Sequence, residues 1–335
     1  MRSIFSLETQ FKDQEIGILY QDIFGKCTHK SLQNLLLKKL EPKIGKIKTC
    51  LFTAISIGAV FGVETMDGRK VVLKVYPKRF AKSELEKILY CQTQFCKEGY
   101  PAPEVLSELI EMAPETYGSI QSYIDGERGD GHLPQIREAL AFGLAEFKRI
   151  AGLKSFPEIE NPFQSKERKR LWPIPHKSTI QLKESTRGAG FIRERALRAR
   201  EIVFRHSLPK GLAHLDWGVK NARFKQHRLV AVFDWDSLGS MSEAEMVGQA
   251  AAQFTADWEI KTKLTPDPEE AWFFIEEYQK ARGKRFKKNE MQIVSASADY
   301  LISLIARYEY AEKVTTNNSF LYLVRSLGQK PLIQT

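Results

Sequence analysis

Apolar residues recur along this chain in two rhythms, and the change of rhythm divides it. Over residues 1–47, Leu35, Leu36, Leu37 and Leu40 form a helical apolar face, and Pro42 reads as the break that ends it. From Cys50 the period changes. CLFTAISIGAVFGVET is rich in β-branched and aromatic residues, Met66-Asp67-Gly68-Arg69 is a turn signal, and KVVLKVYP is a second strand, so the two runs predict a β-hairpin. A helix follows, with Ser83 as N-cap, Gly99 as stop, and Leu85, Ile88, Leu89, Gln92 and Phe95 on one side. PAPEVLSELIEM and GSIQSYIDG read as further strands, and Asp125-Gly126 as a boundary. Beyond about residue 130 helices are expected over 133–150, 190–207, 243–261, 268–282 and 289–312, with one short β region from Ala213 to Leu238. Strands first and helices later predict an α+β chain in three parts: a helical segment over 1–47, a sheet-bearing part over 48–126 and a mostly helical part over 127–335.

A chain of 335 residues with 43% hydrophobic content can bury two substantial cores, and its 27% charged content is ordinary for a globular protein. The net charge of +10 fits nucleic acid, an anionic membrane surface or an anionic ligand such as ATP. The densest basic stretch, Lys166 to Arg170, and the cluster Arg193, Arg195, Arg198 and Arg200 lack aromatic interleaving and any nucleic-acid motif. They read as solvated basic surface, and no nucleic-acid partner is expected. Cys27, Cys50, Cys91 and Cys96 form no CxxC and have no histidine at zinc spacing, so free thiols in a reducing compartment are expected. The first residues turn polar too soon for a signal peptide, and no stretch approaches the roughly 18 apolar residues of a membrane span. The expectation is a soluble, cytoplasmic protein without a membrane partner.

The segment with most chemistry is GLAHLDWGVKNARF, which holds His214, Asp216 and Asn221 in the pattern H-x-D-x-x-x-x-N. The apolar run RLVAVFDWD follows and ends in Asp234, Trp235 and Asp236, and a turn at Lys225–Arg228 would fold Asp234 back beside Asn221. Phosphoryl transfer asks a protein mainly for positioning and charge neutralisation. Asp216 suits the group that takes or orients the proton of an acceptor hydroxyl. Asn221 and Asp234 offer the oxygen donors that Mg2+ prefers, and His214 suits a support that holds the loop.

This segment resembles the catalytic and metal-binding loops of the aminoglycoside phosphotransferase and choline kinase group, relatives of the protein kinases. The resemblance extends over residues 50 to about 250, in the family's order. It implies a bilobal protein kinase-like fold, α+β, with a small antiparallel-sheet N-lobe and a mostly helical C-lobe. It implies an ATP- and Mg2+-dependent transfer of the γ-phosphoryl group to a hydroxyl of a small molecule. By the same likeness Asp216 is the catalytic base, Asn221 and Asp234 hold the metal, and Lys74 in VVLKVYP contacts the α- and β-phosphates. SIGAVFGV, with Ser56 and Gly58, is similar to the loop that covers those phosphates. The helix ELEKILYCQTQFC carries the glutamate partner of Lys74. Glu84 and Glu86 compete for that role, and Glu84 is preferred because it lies closer to the apolar face. The hinge would be SIQSYIDG, with the carbonyl of Ser122 and the N–H of Ile124 on the adenine edge.

The sequence departs from the protein-kinase pattern in several places. The phosphate loop lacks a full G-x-G-x-x-G, the residues after Asp234 are WDSLG, and no A-P-E segment follows. These features favour a small acceptor such as an aminoglycoside or other antibiotic, a choline-like amine, a sugar or an amino alcohol. Two other readings share the motif: a nucleotide-binding regulatory protein without turnover, and a protein kinase acting on a partner. Lys220 stands where a small residue is usual, and it has two readings, a phosphate contact or a solvated side chain. Trp217, Trp235, Trp258 and Trp272 read as core, with an aromatic wall for a cationic acceptor as the sharper alternative. Asp257, Glu259, Glu276 and Glu277 read as a solvated helix face. The run Arg282–Lys288 reads as a solvated loop and does not by itself support an anionic acceptor.

Overall fold

A computed structural model describes residues 4–5, 7–162, 170–175, 180–184, 186–206 and 208–334. The basic residues 166–169 lie outside the described residues. The chain forms two compact units, Met1–Cys96 with Pro103–Asp125, and Lys97–Ala102 with Gly126–Thr335.

The first unit contains helices α1 (Leu7–Gln10), α2 (Gln14–Phe24) and α3 (His29–Ile44), then strands β1 (Ile47–Ile55), β2 (Ala59–Thr65) and β3 (Lys70–Val75). Helix α4 (Lys82–Lys97) and strands β4 (Ile110–Ala113) and β5 (Thr116–Ser122) complete it. The five strands form one antiparallel sheet in the order β1-β2-β3-β5-β4. Alternation in KVVLKV puts Val71, Leu73 and Val75 on the buried face and leaves Lys74 on the other. That buried face joins Phe61, Val63, Ile110 and Ile120 to Leu32, Leu36, Leu40 and Tyr20, so the helices ahead of residue 47 share a core with the sheet. Each fully buried leucine here is worth about 1.5–3 kcal/mol.

Local chemistry moved several expected boundaries. The run from Cys50 to Thr65 is two strands, because the chain turns at Ser56–Gly58, where the Ser56 N–H bonds the Gly58 carbonyl at 2.9 Å. A Cβ on Gly58 would stand 2.5 Å from the Val75 carbonyl oxygen, so only glycine lets the turn close on β3. Pro42 does not end α3. It sits in the last turn, where its missing N–H forfeits a single bond, and Gly45 at φ 87° ends the helix. Ser83 lies inside α4, which begins at Lys82. The apolar side expected for α4 is the buried one: Leu85, Ile88, Leu89, Gln92 and Phe95. Of PAPEVLSELIEM only the end is regular strand. Its first part runs along β5, through Leu106 N–H to Ile120 at 2.8 Å and Ser122 N–H to Glu104 at 2.9 Å, with Pro101 and Pro103 supplying no donor.

The second unit holds α5 (Pro134–Leu153), α6 (Gly190–Arg205), β6 (Lys210–His214), β7 (Ala222–Lys225), β8 (Arg228–Val232) and β9 (Leu238–Ser242). Helices α7 (Glu243–Gln253), α8 (Pro268–Arg282), α9 (Lys288–Ala311) and α10 (Phe320–Leu327) follow. None of the described helices is long and apolar enough to cross a membrane. Ser242 and Glu245 form a capping box that starts α7, but the helix stops at Gln253 instead of running to 261. There the Phe254 carbonyl takes the Val219 N–H at 3.0 Å and the Thr255 hydroxyl bonds Leu264, which draws the chain out of the helix. Asp257 and Glu259 therefore lie beyond the helix, Asp257 buried and Glu259 69% exposed. Asp257 is 1% exposed and bonded to Arg128 at 2.6 Å, and Glu259 meets the same guanidinium.

Arg195 is also no surface cation. It lies buried against Asp299 at 2.8 Å and donates to the carbonyls of Gly328 and Lys330, which ties the end of the chain to α6 and α9. Burial pushes the Asp299 carboxyl above its ordinary range, against the opposing pull of Arg195. Arg282 stacks on Phe286 and pairs with Glu243 at 3.2 Å, so the 282–288 run is anchored at its start.

Helices α7 and α9 meet at Gly248, where an added Cβ would fall 2.1 Å from the Val294 carbonyl oxygen. Gly248→Ala is expected to destabilise the fold by about 1–3 kcal/mol through forced separation of the two helices. Thermal unfolding checks this, and an unchanged Tm would contradict the close approach.

Candidate active site

Two nested hairpins build the site in the second unit. The outer ladder pairs β6 with β9, from Lys210 opposite Ser242 to His214 opposite Leu238. The inner ladder pairs β7 with β8, from Ala222 opposite Val232 to Lys225 opposite Arg228. The inner turn is tight because Gln226 and His227 both adopt positive φ, at 49° and 63°, the geometry whose twist matches a two-stranded ladder. The nesting lays residues 214–221 beside residues 233–237. The Phe233 N–H donates to the Asn221 carbonyl at 2.8 Å, and the Leu215 N–H donates to the Ser237 carbonyl at 2.9 Å.

His214 is buried and bonds both loops. Its Nε2 lies 3.0 Å from the Phe233 carbonyl, and its Nδ1 accepts the Asp216 N–H at 3.3 Å. A carbonyl needs a donor and an N–H needs a lone pair, so these two partners select the neutral tautomer with hydrogen on Nε2. The imidazole is walled by Trp217 and Phe147, whose centroids are 5.7 and 6.4 Å away, and Phe147 also touches Trp235 and Tyr100. Trp217 and Trp235 are thus core. Trp272 is half-buried and Trp258 is exposed.

Both oxygens of the Asp216 carboxylate are engaged. Asn221 Nδ2 donates to Oδ2 at 3.0 Å and to the Asp216 carbonyl at 2.8 Å. Lys220 Nζ is 2.8 Å from Oδ1, with the two side chains 24% and 31% exposed. This contact was not foreseen in the sequence, although the spacing of four residues allowed it. Asp234 follows Phe233 in the left-handed region, at φ 60° and ψ 45°, and its Oδ2 accepts the Ser237 hydroxyl. The arrangement therefore brings His214, Asp216 and Asn221 into direct contact and sets Asp234 one residue beyond the backbone bond to Asn221.

The residues expected in the first unit lie on the β1–β2 turn, on β3, at and just beyond the end of β5, and in helix α4. Ser56 and Gly58 form the β1–β2 turn, and Gly58 abuts the end of β3. Lys74 is on β3, opposite Val60 and Ser119 in register, with its Nζ 5.7 Å from the Tyr76 ring centroid. Ser122 ends β5, opposite Val71, and its hydroxyl accepts the Glu104 N–H at 2.8 Å, with half-buried Ile124 two residues on. Of the two competing glutamates, Glu84 is 14% exposed and meets Lys87 at 2.6 Å, whereas Glu86 is 59% exposed and lies 3.7 Å from Lys82.

The donor set suits a hard cation that arrives with phosphate oxygens. The Asn221 amide nitrogen is committed to Asp216, which leaves its oxygen, and Asp234 adds a carboxylate. No group of three His, Cys, Asp or Glu able to hold a metal occurs among the described residues. A dedicated protein cage is therefore not what this region offers, while a site of one or two side chains completed by phosphate is the usual arrangement for Mg2+.

The sequence model of the phosphotransferase enzyme family matches residues 54–261. No curated protein sequence matches the chain. Solved structures do. An amicoumacin kinase in complex with AMP-PNP, Ca2+ and Ami has a TM-score of 0.63 at 12% identity, with 99% of this chain and 98% of that one covered. A microcompartment-associated aminopropanol kinase has a TM-score of 0.62 at 13% identity, covering 88% and 93%. The ethanolamine kinase of Plasmodium vivax has a TM-score of 0.52 at 13% identity, covering 97% and 96%. At these identities the likeness shows the fold, which is α+β and kinase-like.

His214→Ala would leave the Phe233 carbonyl and the Asp216 N–H without partners and open a void beside Trp217. The expected loss is about 1–3 kcal/mol. Urea unfolding checks it, and a midpoint equal to the parent's would mean that the imidazole does not hold the two loops.

Proposed function

Since the chain belongs to the phosphotransferase enzyme family, we propose that it moves the γ-phosphoryl group of ATP, with Mg2+, onto a hydroxyl of a small molecule. The observation that carries this reading is the Asp216 carboxylate held by Asn221 and Lys220 on a loop tied to the Asp234 segment. The fold likeness to kinases whose names specify small acceptors supports it. So does the short path from Asp234 to α7, a 3-residue turn and a 5-residue strand, which leaves no length for a protein kinase's activation segment.

In this reading Asp216 accepts the proton of the acceptor hydroxyl as its oxygen attacks, and Asn221 fixes the carboxylate's orientation. His214 holds the loop. Asn221 Oδ1 and the Asp234 carboxylate would hold Mg2+, which when bound neutralises charge on the phosphate oxygens. Lys74 would contact the α- and β-phosphates with Glu84 as its partner. The turn at Ser56 and Gly58 would lie over the phosphates, and the Ser122 carbonyl and Ile124 N–H would meet the adenine edge. The four free cysteines, with burial pushing the Cys91 thiol up to about 12, fit a reducing, cytoplasmic setting.

Asp216→Asn removes the proton acceptor while keeping the shape of the side chain. Turnover is expected to fall about 10²–10⁴-fold, with AMP-PNP affinity unchanged. ADP release in the presence of a hydroxyl panel, paired with nucleotide titration, checks both halves. Near-normal turnover in the variant would refute the assignment.

A further inference from the structure

Lys220 has two partners. Its ammonium lies 2.8 Å from Asp216 Oδ1 and 5.1 Å from the ring centroid of Trp258. The two segments that carry Lys220 and Trp258 are joined. The Val219 N–H donates to the Phe254 carbonyl at 3.0 Å, and Gly218 runs so close to the end of α7 that an added Cβ would fall 3.0 Å from the Gln253 carbonyl oxygen. Trp258 is in turn held at both flanks. Asp257 and Glu259 share the Arg128 guanidinium, and the Glu259 N–H donates to Asp257 Oδ1 at 3.0 Å. The tip of a flexible lysine stem is therefore located from two sides, by a carboxylate and by an aromatic face.

Stability does not account for this arrangement. An i,i+4 pair with its side chains 24% and 31% exposed contributes little to folding. The placement is specific instead. Asn221 Nδ2 takes Oδ2 of Asp216 at 3.0 Å, and Lys220 takes the other oxygen of the carboxylate proposed above as the proton acceptor. An acceptor hydroxyl bonded to Asp216 lies about 2.6–3.2 Å from it, and the γ-phosphorus lies about 3–3.5 Å beyond that hydroxyl. A swing of the lysine stem from Oδ1 carries its ammonium to the phosphoryl oxygens.

We propose that Lys220 is a further catalytic residue, whose ammonium passes from Asp216 Oδ1 to an oxygen of the phosphoryl group in transit. This rests on the phosphotransferase reading above. The acceptor oxygen forms a bond to the γ-phosphorus as the bond from that phosphorus to the β–γ bridging oxygen breaks. The electron pair of the broken bond leaves with ADP, and the hydroxyl proton passes to Asp216. The carboxylate thereby loses the charge that held Lys220, while the phosphoryl ester carries negative charge away from it. The ammonium follows that charge, and the Trp258 face keeps it at the site through the exchange.

The test measures MgADP binding to the full chain by calorimetry, with and without aluminium fluoride, a mimic of the phosphoryl group in transit. In the parent, aluminium fluoride is expected to tighten binding roughly 10²-fold or more. In Lys220→Met the affinity for MgADP alone is expected to equal the parent's, while the gain from aluminium fluoride falls at least about tenfold. Lys220→Arg, which restores the charge, is expected to keep most of the gain. Trp258→Leu, at a position 52% exposed, is expected to lose part of it. Equal gains in the parent and Lys220→Met, no gain in the parent, or a fall in both affinities together, as from a residue that only props the loop, would each overturn the inference alone. A parent that binds no MgADP would instead overturn the phosphotransferase reading and this inference with it.

Discussion

One residue's peptide groups hold the site together. The Phe233 N–H is bonded to the carbonyl of Asn221 and the Phe233 carbonyl to the imidazole of His214. Since His214 also receives the Asp216 N–H, three loop positions are locked by four backbone groups and a ring. Buried polar groups of this kind are costly to leave unpaired, so the bonds form together or not at all. The aromatic wall of Trp217, Phe147 and Trp235 keeps water from competing for them. Without this clamp the carboxylates of Asp216 and Asp234 would have no fixed relation to each other.

The clamp depends in turn on a register. A two-residue turn at Gln226 and His227 sets Lys225 opposite Arg228 and Phe224 opposite Leu229, and a one-residue register shift between Arg223 and Phe224 then brings Ala222 opposite Val232. The outer pairing of β6 with β9 repeats the constraint from the other side, through Leu215 and Ser237. A slip of one residue in either ladder would turn every side chain to the opposite face. Two ladders closing on the same loops make such a slip doubly unfavourable.

How far this was legible in the sequence follows the range of each interaction. The 214–234 segment was readable because its pattern, strand and turn are local. The buried side of α4 was readable from period alone. The split of β1 from β2 was missed because it turns on a close approach between Gly58 and Val75, and periodicity does not register distance. The early end of α7 was missed because Phe254 is held by Val219 across the chain. Arg128 gave no sign of its role, since its partners Asp257 and Glu259 lie far along the sequence. Lys220 stands out in the sequence as a lysine where a small residue is usual, but only the three-dimensional loop shows its ammonium on Asp216. The positive balance of the chain misleads in the same way, because Arg195 and Arg137 are spent on internal pairs with Asp299 and Glu277.

The central claim is that Asn221 and Asp234 act with Asp216 as one phosphate-facing unit. Calorimetric titration of AMP-PNP, with and without Mg2+, tests it most directly when the parent is compared with the double variant Asn221→Ala, Asp234→Ala. The account predicts that Mg2+ tightens binding roughly tenfold or more, about 1.4 kcal/mol, in the parent and leaves the variant's Kd unchanged. Equal tightening in both proteins would contradict it.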